Sequence, residues 1–600
     1  HEVLRQVYAA VRDHNWETVP ARVSDVEVDA GDDSFLITFT SRHERGDVDF
    51  TWDGRISGSA DGTIVFSFDG RANSTFRRNR IGFCVLHPME CAGAPCTVEH
   101  VDGTTTRGEF PERISPHQPF RGMRAITHHI APGVSARVVM EGDSFEMEDQ
   151  RNWTDASYKI YCTPLEDPFP VTVHAGERVQ QRVTIALEGD LSQVAADEGG
   201  TPLRFEVGTE THALPHIGLG MASHGDGLTT TEVARLRALN LSHLRACLRL
   251  SEPGWKATIE QATREADAVG CALELALVVS DDASDELAAA GPELAALERA
   301  PARILVFHED EKSTRAQWVR LARQQLAGLG VPIGAGTDAF FTELNRERPP
   351  VDDLDFVCYS LNPQVHAFDN TSLAETVAAQ AETVKTAKSF SGGTPIVVGP
   401  VTLKMRWNPN ATGPSPPAPP GEPPAQVDPR QMSLFGAGWT LGSIKHLARS
   451  GAGSLTYFET TGWQGVMATE SGSPMPGRFQ DIPGGVYPMY AVFLALSPFI
   501  EGGEIVASRS SSYVTVEGIA MRRRGHTRVV LANLTTETQA VELCGLIGEF
   551  SIRRLDAETA ETFMKEPAAW NAQETIALQT GGTTISVEPY SLVWLDQNTM

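Results

Sequence analysis

The chain is poor in three things. Cysteine is the first, with eight in 600 residues. Four of them, Cys84, Cys247, Cys271 and Cys358, sit inside apolar runs of strand-like composition, where a free thiol behaves as a small hydrophobe. Such usage argues against a disulfide-built fold and favours a reducing compartment. Cys91 and Cys96 lie near His87 and Glu90, but the second ligand pair of a structural zinc site is missing, so no metal or other cofactor is expected. Positive charge is the second scarcity: 50 Lys plus Arg face 77 Asp plus Glu, a formal net charge of -27. Nucleic acid and anionic membrane, which both need clustered cations, are poor partners for it. The third is long apolar runs. The nearest approach to the ~18 residues that span a bilayer, "VYPMYAVFLALSPFI" at 486–500, is short and interrupted by proline. The first residue is His1, with no charged and then apolar leader after it. The expectation is a soluble, cytoplasmic protein acting on a small neutral molecule; a homo-oligomer is compatible with it.

At roughly 100–200 residues per domain, the length allows three or four domains. From about 21 to 207 the text reads as short strands rich in β-branched and aromatic residues, such as "SFLITFT", "GTIVFSFDG" and "VSARVVMEG", separated by Gly, Asp and Asn turns. From about 213 the pattern becomes strand then helix, with candidate strands at 215–222, 241–249, 271–279, 303–310, 332–341, 356–363, 395–404 and 454–461. Helical patterns lie between them, among them "TTTEVARLRAL" with a capping Thr and "STRAQWVRLARQQL" opening on Ser313 and Thr314. Eight βα units with continuously apolar strands are what a closed parallel barrel requires, an open doubly wound sheet being the alternative. Strands return after 503. The predicted fold is multidomain α/β plus β: an N-terminal β-sandwich (1–210), a central (β/α)8 TIM barrel (211–502) and a C-terminal β-sandwich (503–600). A proline-rich insertion at 409–429 follows the seventh barrel strand and would overhang the active face.

Active sites of such barrels lie at the carboxyl ends of the strands. Polar residues there are His224 and Asp226 after strand one, Arg245 and Arg249 on strand two, His308, Glu309 and Asp310 after strand four, and Asp338 after strand five. Asn362 and His366 follow strand six, Lys404 and Arg406 strand seven, and Glu459 ends strand eight. Each has a plainer reading: Arg249 pairing with Glu252, or the acids 309–311 favouring the positive end of a helix. Glu459 stands out because four apolar or aromatic-rich positions precede it in "LTYFETTGW", and only the barrel mouth spares an acid there from burial unpaired. Barrel glycosidases use two facing carboxylates, commonly after strands four and seven. Strand seven here ends "VTLKMRW", with cations in place of the acid, although Glu309 and Glu459 could form an unusual pair. Cations beside a carboxylate and a His suit attack of activated water on an ester or lactone carbonyl.

The stretch "FEMEDQRNWTDASYKIY" (145–161) carries unusual polarity for a β region. Read as one strand, it places Glu146, Glu148, Gln150 and Asn152 on a single face, fit for a polyhydroxylated ligand or a charged seam, against the plainer reading of a solvated face.

Four segments, "EVLRQVYAAVRDHNWETVP" (2–20), "GEFPERISPHQPF" (108–120), 145–161 and "SLTYFETTGW" (454–463), resemble the bacterial D-apionate lactonase family, and the likeness spans essentially the whole chain. The resemblance implies the same three-part order and hydrolysis of the lactone of a branched sugar acid, D-apionolactone or a close relative, in D-apiose catabolism. A glycoside hydrolase of the barrel type is the alternative, and a carbohydrate-binding protein on a retired scaffold a third class. From the barrel geometry, Glu459 or Glu309 is expected to activate water, His308 to transfer protons, and Lys404 and Arg406 to stabilise the oxyanion or bind the product carboxylate. Asp338, Asn362, His366, Arg249, Glu148 and Asn152 are expected to bind substrate.

Overall fold

The computed structural model describes residues 2–190, 202–410, 418–572, 576–580 and 582–597. Seven positions of the proline-rich insertion, 411–417, lie outside them. Two compact units emerge. One comprises residues 2–151 and 156–190; the other takes in 152–155 and the described residues from 202 onward.

The first unit is a β-sandwich. A nine-stranded antiparallel sheet faces a five-stranded one, and the two inner faces share a core that includes Phe50, Trp52, Phe66 and Phe68 from the larger sheet and Phe83, Met147, Tyr158 and Ile160 from the smaller. Trp52 and Phe68 lie 4.7 Å apart between ring centroids. Burying each such side chain stabilises the fold by about 1.5–3 kcal/mol. Glu148 belongs to this sandwich: it ion-pairs with Lys159 on the neighbouring strand, its cross-strand partner. The strand holding it spans only Glu146–Asp149, because a 3-10 turn over Gln150–Trp153 breaks the alternation. The single polar face expected from 146 to 152 therefore does not exist. Glu146 is buried and accepts a hydrogen bond from the Tyr161 hydroxyl at 2.5 Å, and Arg151 is buried against Asp149. Nearby, His87, Cys91 and Cys96 are buried, and burial pushes the Cys91 thiol up to about 12 and Cys96 to about 11, which keeps both protonated.

In the second unit eight parallel strands close into a barrel: β1 His216–Gly220, β2 His243–Arg249, β3 Ala272–Val279, β4 Arg303–His308, β5 Ile333–Gly336, β6 Val357–Leu361, β7 Ile396–Val401 and β8 Ser454–Glu459. Helices alternate with them, including α1 Thr230–Ala238, α2 Trp255–Val269, α3 Ala283–Ala295, α4 Ala316–Gln325, α5 Phe341–Arg346, α6 Asn370–Phe390, α7 Leu434–Arg449 and α8 Tyr490–Leu496. Thr229 caps α1 in a reciprocal box with Glu232. Ser313 and Thr314 do not cap α4, which starts later; the Thr314 hydroxyl donates instead to the carbonyl of Val306.

Side chains of β3 show how the barrel fills. Ala276 and Val278 join Leu305, Phe307, Phe356, Cys358 and Val397 in one interior layer, so Glu274, two residues before Ala276, points inward as well. Glu274 is fully buried, with Arg303 Nε at 3.2 Å, Arg245 Nη1 at 3.6 Å and the Thr456 hydroxyl donating at 3.2 Å. Burial alone would raise its pKa, but His243, Arg245 and Arg303 outweigh that and hold it low. The layer is tight: a Cβ on Gly218 would come within 2.3 Å of the His243 ring.

The C-terminal strands form a nine-stranded sheet whose path folds back over a core including Phe205, Val516, Leu531, Phe550 and Val593. Residues 203–210, grouped from sequence with the N-terminal domain, lie instead in a strand of this sheet, Leu203–Ala213, paired with Glu504–Ser510 and Gln539–Cys544. A trio joins sheet and barrel: buried Lys445 Nζ and half-buried His446 Nε2, both on α7, reach the two carboxylate oxygens of buried Glu517. No described helix is long and apolar enough to cross a membrane.

Candidate active site

Glu459 reaches the barrel mouth through a backbone irregularity. Along β8, Thr456 faces the interior and meets Glu274, while the Tyr457 hydroxyl points the other way, 2.7 Å from Ser443 on α7. Strict alternation would send Glu459 after Tyr457, under the helices. Pairing with β1 runs Leu219 to Tyr457 and then Gly220 to Glu459, so Phe458 is skipped. Phe458 sits at φ 39°, and this one-residue bulge turns Glu459 to the interior side. A bulky residue in that region costs about 1–3 kcal/mol, which the surrounding packing must supply.

There Glu459 Oε2 accepts two hydrogen bonds from Ser223, from the backbone N–H at 2.9 Å and from the hydroxyl at 3.0 Å. Burial pushes its carboxyl above the usual glutamate range, and Ser223, His224 and Arg406 offset this only in part. His224 Nδ1 accepts from the Asp226 N–H at 3.1 Å, which leaves Nε2 to donate to Thr461 Oγ1 at 2.8 Å. Arg406, in the turn after β7, donates through Nη2 to the Asp338 carbonyl at 2.6 Å and to its carboxylate at 2.8 Å. The same carboxylate oxygen accepts from Arg245 Nη2 at 3.1 Å. Glu459 and Arg406 line one cleft of about 580 Å3 with Ser223, His224, Trp463 and Gln464. Pro424 and Gln426, from the described end of the proline-rich insertion, line it too, as does the loop from Thr469 to Asp481.

The other expected site residues are distributed differently. On β4 the interior side carries Arg303, Leu305 and Phe307, so His308 falls on the outer side, where its ring stacks on Trp318 of α4 at 4.5 Å. The expectation that His308 faces the mouth is therefore corrected, because the period of two sends it to the helical layer. Glu309, one residue on, returns to the interior side, is exposed, and accepts from the Ser251 hydroxyl at 2.9 Å. Arg249 shares the interior-facing register of Arg245, is half exposed, and lies 3.9 Å from Glu252. Asp338 holds two guanidiniums rather than standing open. Asn362 is buried; its carbonyl accepts from Thr154 and its side-chain oxygen from the Gln364 N–H. Asn152 is buried within the barrel unit, where its carbonyl accepts from Thr342 and its side-chain oxygen from Asn345. His366 Nδ1 lies 2.7 Å from Asp155 Oδ2. Lys404 is half-buried and does not line the cleft; its backbone carbonyl accepts from Thr402.

Reading strand ends alone missed Ser223, Thr461, Trp463 and Gln464. The polar run "TTGWQG" directly after Glu459 was the available signal. The loop residues near 469–481 carry none, because only the chain's return path brings them to the cleft.

An interior-facing carboxylate and an anchored guanidinium at the carboxyl end of a parallel barrel, where such barrels carry their active sites, mark a (β/α)8-barrel enzyme, here with β domains before and after the barrel in sequence. The family is specific. Residues 1–190 match the N-terminal domain of D-apionate lactonase, residues 217–500 its TIM barrel domain and residues 514–595 its C-terminal immunoglobulin-like domain. The chain is also 33% identical over 517 residues, 83% of each chain, to the D-apionate lactonase of Brucella anthropi. The chain belongs to the D-apionate lactonase family. Among solved structures it is similar to a GH30 endoxylanase from Clostridium papyrosolvens C71 (14% identity, TM-score 0.45, 66% of this chain and all of that one). It is similar as well to a beta-arabinopyranosidase (10% identity, TM-score 0.34, 99% of this chain and 94% of that one). These two likenesses carry no argument about chemistry.

Proposed function

We propose that the chain hydrolyses a sugar-acid lactone, D-apionolactone or a close relative, to the open hydroxy acid. Glu459 takes a proton from water as the water oxygen bonds to the lactone carbonyl carbon. Arg406 stabilises the oxyanion that forms, and the acyl–oxygen bond of the ring then breaks. Trp463 and the polar loop groups of the cleft suit a small polyhydroxylated ring. The observation that carries this reading is the pairing of a half-buried, partly desolvated carboxylate with a guanidinium in one cleft, since a base with a raised pKa is a stronger proton acceptor near neutrality.

A glycosidase would need a second carboxylate across the bond, and Asp226 and Asp481 also line the cleft. The turn after β7 supports the lactonase instead, because it brings a guanidinium. Eight free cysteines suit a reducing cell interior, and we place the reaction in the cytoplasm. The test is Glu459→Gln, with lactone opening followed by acid release beside a panel of aryl glycosides. The expected result is acid release by the wild type, a loss of at least about 100-fold in the variant, and no sugar released from the glycosides. Unchanged turnover in the folded variant removes Glu459 from the mechanism.

A further inference from the structure

Two acids besides Glu459 line the catalytic cleft, and the fold treats them differently. The Asp226 side chain is 88% exposed, so any ligand group it meets competes with water. Asp481 is half-buried and held from two sides. Its Oδ1 accepts from the backbone N–H of Ser473 at 3.0 Å. The Tyr487 hydroxyl lies against it as well: burial first, and then the Asp481 charge, push that phenol well above its usual range, so it keeps its proton. An ionised carboxylate has about four lone-pair sites, so these contacts fix the direction of Asp481 and leave it acceptor capacity toward the cleft.

The loop that carries Asp481 is closed on itself. The carbonyl of Thr469 accepts from the N–H of Gly472 at 2.9 Å and from that of Gly484 at 2.7 Å, so both ends of the loop meet at one atom. Gly472, at φ 74°, leaves little room for a side chain: a Cβ would come within 2.9 Å of Pro483 and 3.4 Å of Asp481 Oδ1. The same cleft presents the half-buried ring of Trp463. An apolar ring face together with a fixed polar acceptor suits a sugar ring, whose faces are C–H and whose edge is hydroxyl.

We propose that Asp481 is the specificity residue of the cleft: its carboxylate accepts hydrogen bonds from two neighbouring ring hydroxyls of the lactone, with Trp463 against the C–H face of the ring. The proposal rests on the lactonase reading above and adds the group that tells a sugar lactone from a plain one. An ionised acceptor bonds a hydroxyl more strongly than a neutral one. A ring without those hydroxyls leaves the acceptor unpaired and is rejected. The contacts are made to atoms that do not react, so they are equal in ground state and transition state and act on KM rather than kcat.

The test compares cis-dihydroxy-γ-butyrolactone with unsubstituted γ-butyrolactone, both followed by acid release. The wild type prefers the diol by about 100-fold or more in kcat/KM. In Asp481→Asn, KM for the diol rises about 10- to 100-fold while its kcat, and kcat/KM on the plain lactone, stay within about threefold of wild type. Thermal melting checks that the variant is folded. If it is not, Asp481→Glu decides: it keeps the charge, displaces it by one methylene, and raises KM about tenfold for the diol alone. Equal losses on both lactones would show that Asp481 only shapes the loop, and an unchanged KM for the diol that it touches no hydroxyl; either overturns the proposal. Sugar released from an aryl glycoside by the wild type, and not by Asp481→Asn, would make this acid the second carboxylate of a glycosidase instead. A wild type that opens neither lactone refutes the lactonase reading itself, and the proposal with it.

Discussion

Asp338 was expected to grip a substrate hydroxyl, yet its carboxylate serves two guanidiniums, and Asp338→Asn tests that difference. Arg406 Nη2 makes two bonds to this residue, at 2.6 Å to the carbonyl and 2.8 Å to the carboxylate, and only the second depends on charge. Arg245, 4% exposed, makes its bond at 3.1 Å and is otherwise anchored on the carbonyl of Gly399 at 2.6 Å. Hydrogen bonds to charged groups contribute about 1.5–3 kcal/mol and neutral ones about 0.5–1.5. The amide keeps a weaker acceptor, so the loss is about 1–2 kcal/mol at each guanidinium. The Arg245 share is a loss of stability. The Arg406 share appears in the transition state, because a loosely held guanidinium no longer waits where the oxyanion forms, and 1–2 kcal/mol corresponds to about 5- to 30-fold in rate. The assay is kcat and KM for acid release from a lactone, beside urea unfolding. The expected pattern is kcat down by that factor, KM nearly unchanged, and stability down by about 1–2 kcal/mol. A raised KM with unchanged kcat would show that Asp338 touches substrate after all. No change in either would show that Arg406 needs no anchor.

Two further outcomes follow from the charges. Ser223→Ala removes one of the two hydrogen bonds that favour the ionised form of Glu459, so the carboxyl pKa rises further and the acid limb of kcat/KM moves to higher pH. A limb that stays or moves down would mean that another group controls it. Glu517→Ala leaves the Lys445 ammonium buried without its counter-charge and costs about 3–5 kcal/mol in urea unfolding. Burial would raise the Glu517 carboxyl, but Lys445 and His446 outweigh it and hold it at about 2. Its stabilisation is therefore complete above the ordinary glutamate pKa and is lost as pH falls toward 2, so wild type and Glu517→Gln should converge in acid. A gap that persists at the acid end refutes the assignment.

Periodicity is local, and what depends on it was legible. The eight barrel strands all appear within a few residues of their sequence positions, because buried parallel strands read as continuous apolar runs whatever surrounds them. The ends were less clear: the segment 332–341 yields only a four-residue strand before Phe341 opens α5. Glu459 could be singled out because an acid at the end of such a run has only one tolerable place to go.

Side-chain direction at the rim was not legible. His308 was misplaced because one residue of phase decides between barrel mouth and helical layer, and the sequence does not mark where each strand's inward phase begins. Glu459 faces the cleft only because the neighbouring strand skips Phe458, a pairing event no local pattern announces. The polar stretch 145–161 was decided by chain path: positions 152–155 group with the barrel, where Asp155 meets His366, and the alternation of a single strand could not foretell that. Composition and periodicity act over a few residues and determined the kind of architecture. Which charges meet depended on strand register and on contacts across two hundred positions, and only the closed barrel decides those.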